Sequence, residues 1–158
     1  RFFTVYGPWG RPDMAPMIFT NSIINNKPIR IFNYGDMSRD FTYIDDVIEV
    51  IMRLISKFKN KFYSINNNEI SLIGNSTPAL VLNIGNSKPV KLMDFIEKLE
   101  EELGLKAIKD YQDMQPGDVK DTYADTKAIQ NLLNFIPNTE ISEGITKFIK
   151  WYKKYNGV

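Results

Sequence analysis

The sequence has neither cysteine nor histidine among its 158 residues. These absences exclude a thiol nucleophile, an imidazole general base and any metal site built from Cys and His ligands. Carboxylates, tyrosine and lysine are the side chains that remain for acid–base chemistry. We therefore expect no metal site, and the lack of cysteine is compatible with a reducing compartment.

A large net charge and long apolar runs are missing as well. Lys and Arg together number 20 and Asp and Glu 19, so the formal net charge is +1 at pH 7, which is too little to hold a nucleic-acid backbone. No apolar run approaches the roughly 20 residues of a membrane-spanning helix, and no signal-peptide pattern opens the chain. We expect a cytoplasmic protein without a nucleic-acid or membrane partner.

The residues that are present indicate a mixed α/β fold in one domain, residues 1–158. Hydrophobic residues make up 43% of the chain and charged residues 25%, as in ordinary globular domains of this length. Residues 64–78, rich in Asn and Ser, are predicted to form a surface loop. The predicted strands are residues 1–6, 29–34, 40–43, 79–84 and 107–111, and the predicted helices are residues 15–26, 45–58 and 92–103, a short helix from Asp125 and a terminal helix capped by Ser142.

Three polar turns follow predicted strands, at residues 7–13, 34–41 and 115–119. In α/β proteins ligands bind at such positions. Arg11 and Arg39 lie in the first two turns, and the planar guanidinium suits phosphate or carboxylate. An ordinary ion pair, for instance of Arg39 with Asp36 or Asp40, is the alternative interpretation.

Tyr123 and Lys127 have the Tyr-x-x-x-Lys spacing of the catalytic pair of short-chain dehydrogenases. Two fixed residues recur easily by chance, and Asp125 is predicted to cap a helix whose first turn holds Lys127. The sequence also has no Gly-x-x-Gly-x-x-Gly loop, so it lacks a dinucleotide site of its own. We interpret the pair as non-catalytic.

Several stretches taken together resemble the C-terminal half of UDP-glucuronate 4-epimerases, which are extended short-chain dehydrogenase/reductase enzymes. They are RFFTVYGPWGRPDMAP, IFNYGDMSRDFTYIDDV, LNIGNSKPVKLMDFI, MQPGDVKDTYADTKA and the terminal Trp151-Tyr152. The resemblance implies the substrate-binding portion of a Rossmann-type α/β epimerase, with residues 1–6 a strand of the parent sheet and the N-terminal Rossmann half absent. That half would bind NAD and carry the catalytic Tyr and Lys, so the isolated chain is expected to be inactive.

The resemblance also implies roles for residues that would bind the nucleotide of a UDP-sugar. Arg39 matches the arginine that pairs with the diphosphate, and Asp118 matches the acid that faces the ribose. Phe32 and Tyr34 match the strand beside the uracil. The N-terminal half and a second copy of the chain are the implied protein partners.

The sugar end of the ligand is assigned in the same way. Thr4 and Phe3 match the strand that passes the sugar phosphate and the nicotinamide, so Thr4 would bind substrate and Phe3 the cofactor. Arg11 matches a residue near the hexuronate carboxylate. Gln115 departs from the galactose-type epimerases, which are similar but carry a second arginine there, and this favours a uronate.

The resemblance leaves three functions open. The first is the substrate-binding half of an epimerase that converts UDP-glucuronate to UDP-galacturonate for surface polysaccharide. The second is a UDP-glucuronate decarboxylase or a nucleotide-sugar 4,6-dehydratase of the same superfamily. The third is a stand-alone, non-catalytic nucleotide-sugar-binding or assembly module.

Overall fold

The computed structural model describes residues 1–58 and 81–158, and the predicted loop at 64–78 lies outside these ranges. The described residues form a mixed α/β fold, as predicted. The strands are β1 (Val5–Tyr6), β2 (Pro28–Phe32), β3 (Ser38–Arg39), β4 (Thr42–Tyr43), β5 (Val90–Lys91) and β6 (Ile108–Gln112), and the helices are α1 (Ala15–Ile24), α2 (Ile44–Phe58), α3 (Leu92–Leu103), α4 (Lys127–Leu133) and α5 (Ile141–Asn156).

The strands pair two by two. β1 runs parallel to β4, β2 runs parallel to β6, and β3 is antiparallel to β5. Near the chain start, the Phe3 amide donates to the Ile84 carbonyl at 3.2 Å and the Ile84 amide donates to the Arg1 carbonyl at 2.8 Å. The predicted strand at 1–6 is therefore interrupted: a single parallel bridge joins Phe2 to Ile84, and regular pairing begins only at Val5.

The main core lies where α1, α3 and α5 pack on β2. α3 shows why: its apolar residues recur at helical spacing, so one face of the helix is buried. This face consists of the buried residues Leu92, Phe95, Ile96, Leu99 and Leu103. A second cluster joins α2 and α4 to the chain around Ile84 and contains Val47, Val50, Ile84 and Ile129.

Helix and strand ends agree with prediction only in part. α3 ends at Gly104, which has φ 68° and adopts the left-handed conformation that glycine favours. The predicted cap Ser142 is wrong, because α5 begins at Ile141 and follows Glu140 in extended backbone. The strand predicted at residues 29–34 is also shorter than expected, because β2 ends at Phe32.

The helices of residues 1–58 and 81–158 do not include one with the length and hydropathy needed to cross a membrane.

Candidate functional site

A cleft of about 540 Å³ lies between α1, β2 and the loop around residue 115. Of the residues predicted to bind substrate, Thr4, Phe32, Arg39 and Asp118 lie together along its wall. The sequence separation of these residues is large, so tertiary packing brings them together. The full lining is Thr4, Met14, Ala15, Ile18, Phe19, Pro28, Arg30, Phe32, Met37, Arg39, Phe41, Leu92, Gln115 and Asp118.

β2 supplies one wall of the cleft through the alternation of its side chains. Ile29 and Ile31 are buried in the core at 1% and 0% exposure. Because successive strand residues point to opposite faces, Pro28, Arg30 and Phe32 form the opposite face, and all three line the cleft. The core-facing residues thus fix the orientation of the cleft-facing ones.

Arg39 is held by backbone carbonyls instead of a carboxylate. Its Nη1 atom donates to the carbonyls of Ser38 at 2.8 Å and Lys120 at 2.9 Å. A guanidinium also carries N–H groups on Nε and Nη2, and within residues 1–58 and 81–158 no acidic side chain pairs with them. The described residues therefore leave the outer donors of Arg39 available to an anion.

The two carboxylates proposed as partners for Arg39 are engaged elsewhere. Asp36 pairs with Lys120 at 2.6 Å. Asp40 is fully buried, and its carboxylate accepts backbone N–H bonds from Asn86 at 2.9 Å, Ser87 at 3.0 Å and Ala124 at 2.9 Å. Asp40 therefore ties two distant backbone segments to the strand region beside the cleft.

The loop that carries Asp118 is fixed against β3. Ser38 donates its hydroxyl proton to Asp121 at 2.6 Å, and its amide donates to the Lys120 carbonyl at 3.0 Å. Gly117, with φ 89°, allows the turn in which the Asp118 amide donates to the Gln115 carbonyl at 3.1 Å. These bonds place Asp118 and Gln115 on the same cleft as Arg39.

Tyr34 lies outside the cleft. After β2 the chain enters a tight turn in which Asn33 and Tyr34 have φ values of 49° and 51°. The Asn33 side chain donates to the Asp36 carbonyl at 2.7 Å and stabilises this turn. Tyr34 is 65% exposed, and the Asp113 carboxylate beside it raises the pKa of Tyr34. Its predicted stacking on uracil stays a prediction.

Arg11 and Phe3 also lie outside the cleft lining. Arg11 forms a bidentate pair with Asp13, through Nε to Oδ1 at 3.0 Å and through Nη2 to Oδ2, and this hydrogen bonding lowers the pKa of the Asp13 carboxyl. Phe3 lies near Gly85, whereas Thr4 lines the cleft. The roles predicted for Arg11 and Phe3 stay predictions.

The Tyr123 and Lys127 pair does not have the geometry of residues four apart on one helix. α4 begins at Lys127, so Tyr123 precedes the helix, and its side chain is 62% exposed. The Lys127 amide donates to the Asp125 carboxylate at 3.1 Å, which is the capping contact predicted for Asp125, although Thr126 occupies the position directly before the helix. This arrangement agrees with a non-catalytic pair.

Sequence reasoning missed Arg30, which lines the same cleft as Arg39. The signal was available: in the stretch PIRIF the two isoleucines predict a buried face, and Arg30 and Phe32 alternate with them. It also missed the α1 wall formed by Ala15, Ile18 and Phe19, since an amphipathic helix does not reveal which neighbour it covers.

Known proteins match this chain along nearly its whole length. The chain is 46% identical over 155 residues to Protein CapI of Staphylococcus aureus, covering 98% of this chain and 46% of the relative. It is 42% identical over 153 residues to a probable UDP-glucuronate 4-epimerase of Rhizobium meliloti (strain 1021), covering 96% of this chain and 45% of that protein. The chain thus spans less than half the length of these curated relatives.

A solved structure shows the same similarity in three dimensions. The chain superposes on UDP-glucuronic acid 4-epimerase from Bacillus cereus, solved in complex with UDP-glucuronic acid and NAD, with a TM-score of 0.79 at 33% identity. The match covers 98% of this chain and 44% of the enzyme. Fold and relatives define an extended short-chain dehydrogenase/reductase protein of the nucleotide-sugar epimerase and dehydratase class. Within it, the chain belongs to the GDP-mannose 4,6 dehydratase family, whose model matches residues 1–148.

Proposed function

We propose that this chain forms the nucleotide-sugar-binding part of an NAD-dependent epimerase that acts on UDP-glucuronate and produces UDP-galacturonate. The observation that carries the proposal is the cleft in which Thr4, Phe32, Arg39 and Asp118 converge. Its volume of about 540 Å³ lies in the range of small-molecule sites, roughly 300–1,000 Å³. A cytoplasmic location and a role in surface polysaccharide synthesis belong to the same proposal.

In this proposal each cleft residue acts on one part of the ligand. The free donors of Arg39 hold the diphosphate, since a guanidinium donates charge-assisted hydrogen bonds to phosphate oxygens. Phe32 packs against the base, and the Asp118 carboxylate accepts a hydrogen bond from a ribose hydroxyl. Thr4 contacts the sugar end. The task of this chain is then to bind and orient the nucleotide-sugar.

Arg11 is proposed to contact the carboxylate of the uronate. In the structure its guanidinium already holds a carboxylate in bidentate fashion, that of Asp13. The Arg11 and Asp13 side chains are 74% and 60% exposed, and exposed ion pairs are weak. A substrate carboxylate could therefore exchange with Asp13 at little energetic cost.

The residues of this chain do not fit a dinucleotide cofactor. The sequence has no glycine-rich loop of the required spacing. NAD would supply hydride transfer in the whole protein. We assign its binding to residues outside this chain.

Isothermal titration calorimetry of the purified chain with UDP tests the proposal. Arg39→Ala should weaken UDP binding about 10- to 100-fold, because it removes a charge-assisted contact. Arg53→Ala is the matched control, since Arg53 pairs with Glu49 on α2 and is absent from the cleft lining. No detectable UDP binding, or equal binding by wild type and Arg39→Ala, would contradict the proposal.

A dehydratase is the second candidate, because the matching family model is that of GDP-mannose 4,6 dehydratase. The binding task of this chain is the same in both cases. Nuclear magnetic resonance of the product formed by the complete protein separates them: an epimerase yields a galacturonate with an intact 4-hydroxyl, and a dehydratase yields a keto sugar.

A further inference from the structure

Arg30 is a second cationic side chain on the cleft, at the centre of the cleft-facing side of β2. The residues on either side of it in the strand, Ile29 and Ile31, are buried at 1% and 0% exposure. β2 is therefore anchored in the core around Arg30. The position of the Arg30 backbone is fixed, and only the long side chain is free to adapt.

The acidic residue nearest to Arg30 in the sheet accepts a hydrogen bond from a different side chain. Parallel pairing of β2 with β6 sets Arg30 opposite Asp110, where a cross-strand ion pair would be expected. Instead the Asp110 carboxylate accepts a hydrogen bond from the Gln112 amide at 2.8 Å. Across residues 1–58 and 81–158, Arg30 forms no ion pair with any carboxylate.

The charges that line the cleft suit an anionic ligand. Its charged residues are Arg30, Arg39 and Asp118, so cations exceed anions by one before a ligand enters. Arg39 has part of its donor set engaged by the Ser38 and Lys120 carbonyls, whereas Arg30 has none of its donors engaged within the described ranges. Two linked phosphates offer acceptor oxygens to both guanidinium groups at once.

We propose that Arg30 is a second contact for the diphosphate of the ligand and makes the cleft select a nucleoside diphosphate over the monophosphate. This rests on the proposed function, since it assumes that Arg39 holds a nucleotide in the same cleft. The contact pattern required is simple: Arg39 is anchored and positions one phosphate, while the mobile Arg30 side chain reaches the other.

The test compares three probes, uridine, UMP and UDP, by isothermal titration calorimetry with the 158-residue chain. Arg30→Gln should weaken UDP binding about three- to tenfold, weaken UMP binding less, and leave uridine binding unchanged. Arg30→Lys should retain most of the UDP affinity because it keeps the charge. Arg53→Gln, on α2, is the matched control and should bind UDP like wild type.

The outcomes separate the two proposals. If wild type binds UDP and Arg30→Gln binds it equally well, the inference on Arg30 is wrong while the proposed function stands. Equal losses for uridine, UMP and UDP would assign Arg30 to the nucleoside and overturn the diphosphate contact. If wild type binds none of the three probes, the proposed function fails and the inference fails with it. Unchanged circular dichroism and thermal midpoints would show that the Arg30 variants are folded.

Discussion

Arg39 and Asp40 are adjacent in sequence and opposite in charge, and they differ in burial and in hydrogen-bond partners. Arg39 is half-buried with donors left open toward the cleft side of β3. Asp40 is fully buried and accepts only backbone N–H bonds from Asn86, Ser87 and Ala124. Along an extended backbone successive side chains point to opposite faces, so Arg39 lies along the cleft and Asp40 is buried in the fold.

We expect Asp40→Asn to destabilise the protein by about 2–4 kcal/mol, because the amide group that replaces Oδ2 cannot accept from Ser87 and Ala124. Urea denaturation followed by circular dichroism measures this change. Asp36→Asn is the control: Asp36 is exposed and paired only with Lys120, so its loss should cost less than about 1 kcal/mol. Similar stabilities for the two variants would show that the hydrogen bonds from the three backbone N–H groups to Asp40 are not important to the fold.

At the scale of elements, Glu100 joins the end of α3 to the start of β6. Its side chain is 2% exposed, and it accepts hydrogen bonds from Lys109 at 2.6 Å, the Ala107 amide at 2.9 Å and Lys106 at 3.1 Å. Burial opposes ionisation of this carboxyl, but the three donors outweigh burial and lower the pKa of Glu100 below its ordinary value of 4.5. The carboxylate therefore stays charged inside the fold.

This lowered pKa makes part of the stability pH-dependent. The contribution is fully present above the unfolded pKa of 4.5, and it is lost as the pH falls below that value through the folded pKa. We expect Glu100→Gln to be less stable than wild type by about 2 kcal/mol near neutral pH, with the difference shrinking at about pH 3. Urea denaturation at both pH values measures it, and Glu97→Gln, an exposed neighbour, is the control. A difference that does not change with pH would contradict the role of the charge.

Elements with a continuous apolar period were predictable from the sequence, and elements defined by distant contacts were not. α3 follows from its apolar stripe and from Gly104, both local features. β3 and β5 have two residues each, too short to produce a pattern. In α2 the apolar residue Ile55 is 56% exposed, because a helical period locates an apolar face without locating what covers it.

The candidate site shows the same limit. Arg39 can be named from its polar turn and Asp118 from the family resemblance, but the loop that carries Asp118 is fixed against β3 by the bond from Ser38 to Asp121, which no local pattern encodes. Arg30 could have been named from the alternation of β2, whereas no local pattern shows that, among the described residues, it forms no ion pair with Asp110, its register partner in β6. Tyr34 lies outside the cleft lining because β2 ends at Phe32 and the chain continues into a left-handed turn.

At the scale of the whole molecule, the chain segment before β1 has an unpaired backbone edge. Pairing with Ile84 uses the Arg1 carbonyl and the Phe3 amide, and in the described ranges the N–H and C=O groups of Phe2 make no hydrogen bond. The Phe2 side chain is 61% exposed. An unpaired edge beside exposed apolar surface is where a further strand adds to a sheet.

The outer face of α2 is apolar as well. Ile48, Met52 and Ile55 are between 48% and 56% exposed, while Val47 and Val50 on the other face are buried. Since the chain spans only 46% of the length of CapI, we expect the part of such a relative that this chain does not match to cover these surfaces. The same surfaces would otherwise favour self-association of the chain.

We therefore expect the 158-residue chain to show no epimerase activity with UDP-glucuronate and NAD, and to bind the separately expressed remaining part of CapI. Size-exclusion chromatography with light scattering measures the complex, and product analysis by nuclear magnetic resonance measures turnover. Met52→Glu should weaken the complex at least about tenfold, because it buries an unpaired charge. Leu105→Glu is the control, since Leu105 is 44% exposed beyond the end of α3.

Turnover by the chain alone would contradict the expectation and make Tyr123 and Lys127 catalytic candidates again. Equal weakening by both substitutions would show that α2 is not the contact.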